Sequence, residues 1–194
     1  MTMRRGFKTE ANALACDIRR ELGLRALDRL DPLVLAAHLA IPVVALSDLL
    51  EKAPAVAHLL DVEPRSFSAV TIFDGPRRLI VHNDRHLPGR QNSNIGHELA
   101  HGLLLHPPRP AVDHRGCRLW DQEIEEEADW LASVLLVPED AALAVARGRT
   151  WETEAEAALH FGVSEQMLSY RLNITGARLR VQRARRQRAG LMPG

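Results

Sequence analysis

The sequence predicts an α+β domain that is mostly helical, with a small antiparallel β-sheet packed on one long helix. Apolar residues recur at helical spacing through most of the chain, and β-branched and aromatic residues around Asp74-Gly75 predict a β-hairpin at about residues 67–83. A chain of 194 residues is long enough for one domain with a buried core. The 46% hydrophobic and 26% charged residues are typical of a soluble globular protein.

Two amphipathic helices are predicted near the N-terminus. Apolar residues from Ala11 to Leu22 recur at helical spacing, and Gly23 ends that helix. Asp31 and Pro32 suit an N-cap and a first helical position, so a second helix is expected to run through Leu39. A short strand and two helical turns are predicted before the hairpin: 43–46, 47–50 and 53–60.

Two long helices are predicted in the middle of the chain. The first follows the polar loop at residues 82–89 and is expected to end at His106, because the prolines that follow cannot continue a helix. Asp121 is expected to cap the second, which runs to Val137. The buried face of this second helix is predicted to consist of apolar residues three and four positions apart: Ile124, Ala128, Leu131, Ala132 and Leu135.

Shorter helices and a basic tail are predicted toward the C-terminus. Pro138 is expected to open a helix at residues 139–146, and Thr150 and Ser164 to cap two more. After Gly176 the chain becomes rich in arginine. We therefore expect one domain at residues 1–176 and a flexible tail at residues 177–194.

Charge and cysteine content exclude several classes of protein. The 25 basic and 25 acidic residues give no net charge, which predicts no overall attraction to nucleic acid or membranes. Cys16 and Cys117 lie far apart without a CxxC motif, which is typical of a reducing compartment. The sequence shows neither an apolar signal segment nor an uncharged run long enough to span a bilayer. We expect a cytoplasmic protein with no membrane partner.

The stretch His97-Glu98-Leu99-Ala100-His101 is the strongest chemical signal in the chain. Positions i and i+4 of a helix share a face, so His97 and His101 can direct two imidazoles at one metal ion. Glu98 follows directly, where its carboxylate can reach a water bound to that metal. The spacing predicts a metal site with a carboxylate beside it.

A catalytic zinc site needs a third protein ligand, which the acidic segment at residues 121–129 can supply. Stepping back along the predicted buried face of that helix gives Glu125 as the inward carboxylate. Asp129, one turn later, is placed to accept a hydrogen bond from one of the zinc histidines. Glu126 and Glu127 are predicted to face solvent.

Three stretches of the chain resemble the ImmA/IrrE family of zinc-dependent metallo-endopeptidases. They are residues 7–11 with 21–24, residues 96–106 and residues 125–138. The resemblance implies a zincin-like fold, with one zinc ion per chain on His97, His101 and Glu125 and with Glu98 as catalytic acid and base. It also implies a repressor-type, DNA-binding protein as the substrate, in a phage, mobile-element or stress-response circuit.

The group that stabilises the oxyanion or contacts the substrate is left open by the sequence. The candidates for this role are five side chains that can donate a hydrogen bond: His82, His86, His106, His114 and Tyr170.

A second interpretation begins at the C-terminus. Residues 155–172 resemble two helices joined by a tight turn, as in a helix-turn-helix, and six further arginines follow Arg171. The chain would then be a DNA-binding or protein-interaction regulator with a structural or vestigial zinc site. Against this, the second of these helices offers only Arg171 as a cation, so we favour a helix pair that completes the fold. The arginine-rich tail can still attract DNA weakly.

Overall fold

The computed structural model describes residues 3–75, 77–107, 121–148 and 150–190, and in these ranges the protein is mostly helical with one small sheet. The helices are α1 (Phe7–Glu21), α2 (Pro32–His38), α3 (Pro88–Leu103), α4 (Gln122–Leu136), α5 (Glu139–Arg147), α6 (Glu154–Phe161), α7 (Glu165–Ile174) and α8 (Ala177–Gly190). The strands are β1 (Val43–Ala45), β2 (Ala69–Asp74) and β3 (Arg77–His82). Short helical turns at Leu46–Leu49, Pro54–Val56 and His58–Val62 connect β1 to β2. The predicted α+β class is confirmed.

The sheet contains the predicted hairpin and a third strand, β1. Strands β2 and β3 pair antiparallel, with Asp74 opposite Arg77, and Gly75 adopts a positive φ of 56° at the turn. Strand β1 pairs with the other side of β3 and runs parallel to it. The sheet is therefore mixed, whereas the sequence predicts an antiparallel sheet. Strand β2 lies at an edge.

The caps that the sequence predicts for three helices are present. Asp31 accepts the N–H of Leu33 at 2.8 Å, and Asp121 accepts the N–H of Glu123 at 3.1 Å. Ser164 caps α7. Each of these side chains satisfies a backbone donor that the first turn of a helix leaves without a partner.

The predicted cap of α6 was wrong. Thr153, not Thr150, accepts the N–H of Glu156 at 3.1 Å. In return the Glu156 carboxylate accepts the N–H of Glu152 at 3.0 Å. The reason is the Thr153-x-x-Glu156 spacing, which pairs a hydroxyl with a carboxylate three residues later and so satisfies two backbone donors.

Helix α3 lies between the sheet and α4, and its buried side chains form the centre of the core. Leu99 and Ala100 are fully buried, and so is the predicted face of α4 at Ala128, Leu131, Ala132 and Leu135. Burying a leucine side chain contributes about 1.5–3 kcal/mol. This shared core fixes α3 and α4 relative to each other.

Helix α3 ends at Leu103, three residues before the predicted end at His106. Leu105 adopts a positive φ of 55°, and its N–H donates to the Gly102 carbonyl at 3.2 Å. The N–H of His106 donates to the His101 carbonyl at 3.0 Å. This pair of bonds is a Schellman motif, which stops the helix before the prolines are reached and turns the chain back over its last turn.

Two buried arginines bind the C-terminal end of α4. Arg19 donates to the Leu135 carbonyl at 2.7 Å, and Arg171 donates to the Val137 carbonyl at 2.9 Å. A cation at this end of a helix complements the helix dipole. Arg171 is 1% exposed, so the cation that the sequence offers on α7 is not presented to a nucleic acid.

The arginine-rich segment, expected to be a flexible tail or a frayed helix, forms α8. Gly176, at a positive φ of 63°, separates α7 from α8, and Ala177 is buried in the core. Arg178 pairs with Glu154 at 2.6 Å, and Arg180 pairs with Glu139. Alanine, arginine, glutamine and leucine all favour helix, which explains why the segment is helical. The domain boundary at residue 176 stays a prediction.

Among the helices in the described ranges, none combines the length and the hydropathy that crossing a bilayer would require.

Candidate metal centre

Helix α3 presents His97 and His101 from one face, while Leu99 and Ala100 point into the core. The two Nε2 atoms lie 3.0 Å apart. Their side chains are 23% and 22% exposed, so solvent reaches both rings from the cleft. The side chains of His97 and His101, four residues apart on α3, therefore converge as the sequence predicts.

Glu125 on α4 completes a group of three possible ligands. Its Oε2 lies 3.2 Å from Nε2 of His97 and 3.7 Å from Nε2 of His101. Ligands about 2.0–2.2 Å from a tetrahedral zinc ion are about 3.3 Å from each other, and the three distances bracket this value. Two imidazoles and one carboxylate, with space beside them for water, are compatible with a catalytic metal site.

The electrostatics of these residues favour a cation. Burial lowers the pKa of His97, but hydrogen bonds to Asp129 and Glu125 outweigh it and raise that pKa to about 10. Hydrogen bonds from His101 and His97 hold the pKa of Glu125 well below its usual range. A positive charge is thus favoured at the point where the three side chains meet, and a metal ion can supply it in place of a proton.

Asp129 lies where the sequence predicts a partner for a ligand histidine. Its Oδ1 is 2.8 Å from Nδ1 of His97. The carboxylate is 71% exposed, whereas the ring that it contacts is largely covered. This bond leaves Nε2 of His97 directed at Glu125.

Glu98 follows His97 on α3 and faces the cleft beside the same cluster. Oγ1 of Thr71, on edge strand β2, donates to Glu98 Oε2 at 2.5 Å. The sequence analysis did not identify Thr71. The contact joins a strand to a helix 27 residues away, and no local pattern signals it.

The prediction that Glu127 faces solvent was wrong. Its side chain is 13% exposed, and Oε2 lies 3.4 Å from Nε2 of His106. Arg4 approaches the same carboxylate from the N-terminal segment, with 3.8 Å between Nε and Oε1. Burial raises the pKa of Glu127. Glu126 was also predicted to face solvent. It is instead partly buried and lines the cleft.

The cluster lies in an open cleft of about 1470 Å³. Strand β2, helices α3 and α4, and the α6–α7 pair contribute lining residues to its walls. Asn92 of α3 donates to the Gly162 carbonyl at 2.7 Å, which fixes the turn between α6 and α7 against α3. The helix pair considered as a helix-turn-helix thus contributes Met167 and Tyr170 of its second helix to this cleft.

The five candidate donors lie in different places. His106 and Tyr170 line the cleft. His82 is buried at the end of β3, and His86 bonds through Nε2 to the Pro64 carbonyl at 2.9 Å. His114 lies outside the described residues.

Comparison with known protein families gives a match over most of the chain. Residues 51–173 match the peptidase M78 family model, described as an IrrE N-terminal-like domain. No curated protein and no solved structure matches the chain. The matched segment includes α3 and α4, which carry the three possible ligands, and the α6–α7 wall. The fold, the His97, His101 and Glu125 cluster and this match together lead to one conclusion: the chain belongs to the ImmA/IrrE family of metallopeptidases.

Proposed function

We propose that this protein is a zinc-dependent endopeptidase of the cytoplasm that cleaves a repressor-type transcription regulator. The observation that supports this most is the convergence of His97, His101 and Glu125 within one open cleft, next to the carboxylate of Glu98. A ligand set of two imidazoles and one carboxylate is typical of catalytic zinc in peptidases.

Zinc, when bound, supplies a Lewis acid that acidifies water and polarises a carbonyl group. His97 and His101 would hold it through their imidazoles and Glu125 through its carboxylate. Glu98 accepts a proton from the attacking water and passes it to the leaving amine. Hydrolysis of one peptide bond thus consumes one water molecule and yields one carboxylate and one amine. Thr71 binds Oε2 of Glu98 and leaves Oε1 to carry the proton.

The cleft suits a peptide chain rather than a small molecule. It is open, large and lined by apolar side chains of α6 and α7, including Leu159, which is 79% exposed, and Met167. Leu87, just before α3, adds an apolar surface that is 80% exposed. Exposed apolar side chains in a cleft favour contact with the apolar side chains of a protein segment.

Among the five candidate donors, we assign substrate contact to Tyr170. Its side chain lines the cleft, and its phenol, whose pKa burial raises, is protonated near neutral pH and able to donate. A donor aimed at a developing oxyanion stabilises the transition state of acyl transfer.

The experiment is to incubate the zinc-loaded protein with the repressor encoded nearest its gene and with unfolded casein as a general substrate. Intact-mass analysis is expected to show repressor fragments whose masses sum to the substrate plus one water. Glu98→Gln protein is the control and is expected to give no fragments. Cleavage of casein alone would contradict the proposed substrate, and cleavage of neither would contradict the peptidase assignment.

A further inference from the structure

A third histidine, His106, contacts the ligand cluster from outside α3. The turn at Leu105 brings it back over the last turn of the helix. Its Nδ1 lies 2.8 Å from Nδ1 of His101, and the two rings meet edge to face, with centroids 4.9 Å apart. The contact therefore involves the nitrogen of His101 that does not face Glu125.

The hydrogen-bond pattern assigns one direction to this contact. A neutral imidazole that binds a metal through Nε2 carries its proton on Nδ1. His101 must then donate from Nδ1, and His106 must accept at Nδ1. With that nitrogen acting as acceptor, His106 carries its own proton on Nε2, which lies 3.4 Å from Oε2 of Glu127. The three side chains thus form one consistent chain of hydrogen bonds: His101 donates to His106, and His106 donates to Glu127.

The pair is also shielded from water. The side chains of His106 and Glu127 are 9% and 13% exposed. Asp129, which contacts the other ligand histidine, is 71% exposed. A hydrogen bond that water cannot readily replace holds a ring orientation more firmly than an exposed one does.

We propose that His106 and Glu127 form a positioning pair that fixes the tautomer and ring orientation of His101. Each ligand histidine then has a carboxylate partner: Asp129 contacts His97 directly, and Glu127 acts on His101 through His106. The inference rests on the metal site of the proposed function. A donor or acceptor of this kind raises the affinity of a metal site by orienting its ligand.

Zinc affinity, measured by competition with a chromophoric chelator, tests the pair without an activity assay. His106→Leu, which removes the acceptor, is expected to weaken zinc binding about 10–100-fold. His106→Asn places Oδ1 near the position of Nδ1 and is expected to restore most of that loss. His160→Leu is the matched control, because His160 donates to the Leu27 carbonyl on another part of the surface. It is expected to leave zinc affinity unchanged.

A second substitution tests whether Glu127 acts through His106. Glu127→Gln is expected to weaken zinc binding by less than His106→Leu does. The double variant is expected to bind zinc no more weakly than His106→Leu alone, because Glu127 has no route to His101 once the ring is removed. Additive losses in the double variant would contradict the pair.

Cobalt substitution gives a readout that overall destabilisation would not change. The visible spectrum of a bound Co²⁺ ion reports the geometry of its ligands, so His106→Leu is expected to alter the bands and His106→Asn to return them toward those of the unaltered protein. Unchanged zinc affinity and an unchanged cobalt spectrum in His106→Leu would overturn the inference. If His106→Leu does not fold, as judged by circular dichroism, the inference is tested by the zinc affinity and the cobalt spectrum of Glu127→Gln and of His106→Asn. Failure of the unaltered protein to bind zinc would instead overturn the proposed function.

Discussion

The Nδ1 atom of His97 lies 2.8 Å from Oδ1 of Asp129, and this contact orients a ligand histidine across two helices. The opposite nitrogen of the ring then faces Glu125 at 3.2 Å. Both acidic residues belong to α4, one turn apart, so a single helix supplies a ligand and the partner of another ligand. The buried contact between α3 and α4 therefore controls the geometry of the whole cluster.

Removal of any one ligand is expected to abolish stoichiometric metal binding. The purified protein should contain about one zinc ion per chain, and His97→Ala or Glu125→Ala should lose it because two ligands do not hold the ion. Elemental analysis after dialysis against metal-free buffer measures this. Glu123→Ala, an exposed acid in the same acidic segment, is the matched control and should retain zinc. Full zinc content in Glu125→Ala would exclude Glu125 as a ligand.

Zinc affinity is expected to rise with pH. Because hydrogen bonds to Asp129 and Glu125 outweigh burial and raise the pKa of His97 to about 10, the ring is protonated near neutral pH and must lose that proton to bind zinc. Release of one proton makes the apparent affinity rise about tenfold per pH unit below that pKa. Calorimetry in buffers of different ionisation enthalpy counts the protons. In Asp129→Asn, which lacks the anionic partner, fewer protons should be released; equal release would contradict this assignment.

Thr71 is expected to affect turnover through Glu98. Thr71→Val keeps the shape but removes the hydroxyl donor, and a hydrogen bond to a charged group that contributes about 1.4 kcal/mol corresponds to a kcat about tenfold lower. Thr71→Ser keeps the hydroxyl and should recover most of the rate. The measurement is kcat on a cleaved peptide at equal zinc content. A Thr71→Val enzyme with unchanged kcat would show that the bond does not act on Glu98.

The α3–α4 core is expected to dominate stability. Leu131 is fully buried, and Leu131→Ala should lower the free energy of unfolding by about 2–5 kcal/mol. Leu159 is 79% exposed, and Leu159→Ala should change it by less than about 0.5 kcal/mol. Urea denaturation of the metal-free protein compares the two. Similar losses in both variants would contradict the assignment of the core.

Local spacing explains why much of this could be predicted from the sequence. The positions of His97 and His101 follow from helix geometry, and the apolar spacing around Ala128 is enough to direct Glu125 inward. The hairpin follows from Asp74-Gly75. In each case the deciding interactions lie within one turn of helix or one reversal of the chain.

Features that depend on distant parts of the chain were missed. Glu127 is about 200° around the helix from Glu125, so it was predicted to face solvent. It is covered instead by Arg4 from the N-terminal segment and by His106. His106 reaches it because Leu105, not glycine, adopts the left-handed conformation, and a leucine gives no sequence signal for such a turn.

The role of Glu98 is tested most directly by peptide hydrolysis in ¹⁸O-labelled water, with the unaltered and Glu98→Gln proteins loaded to equal zinc content. A mixture of unmodified peptides serves as substrate, and mass spectrometry measures labelled carboxylates at new C-termini. We expect the unaltered protein to produce them and Glu98→Gln to produce them at least about 100-fold more slowly, since general acid and base catalysis contributes at least that factor. Labelled products formed by Glu98→Gln at the unaltered rate would contradict the assignment of Glu98 as the catalytic acid and base.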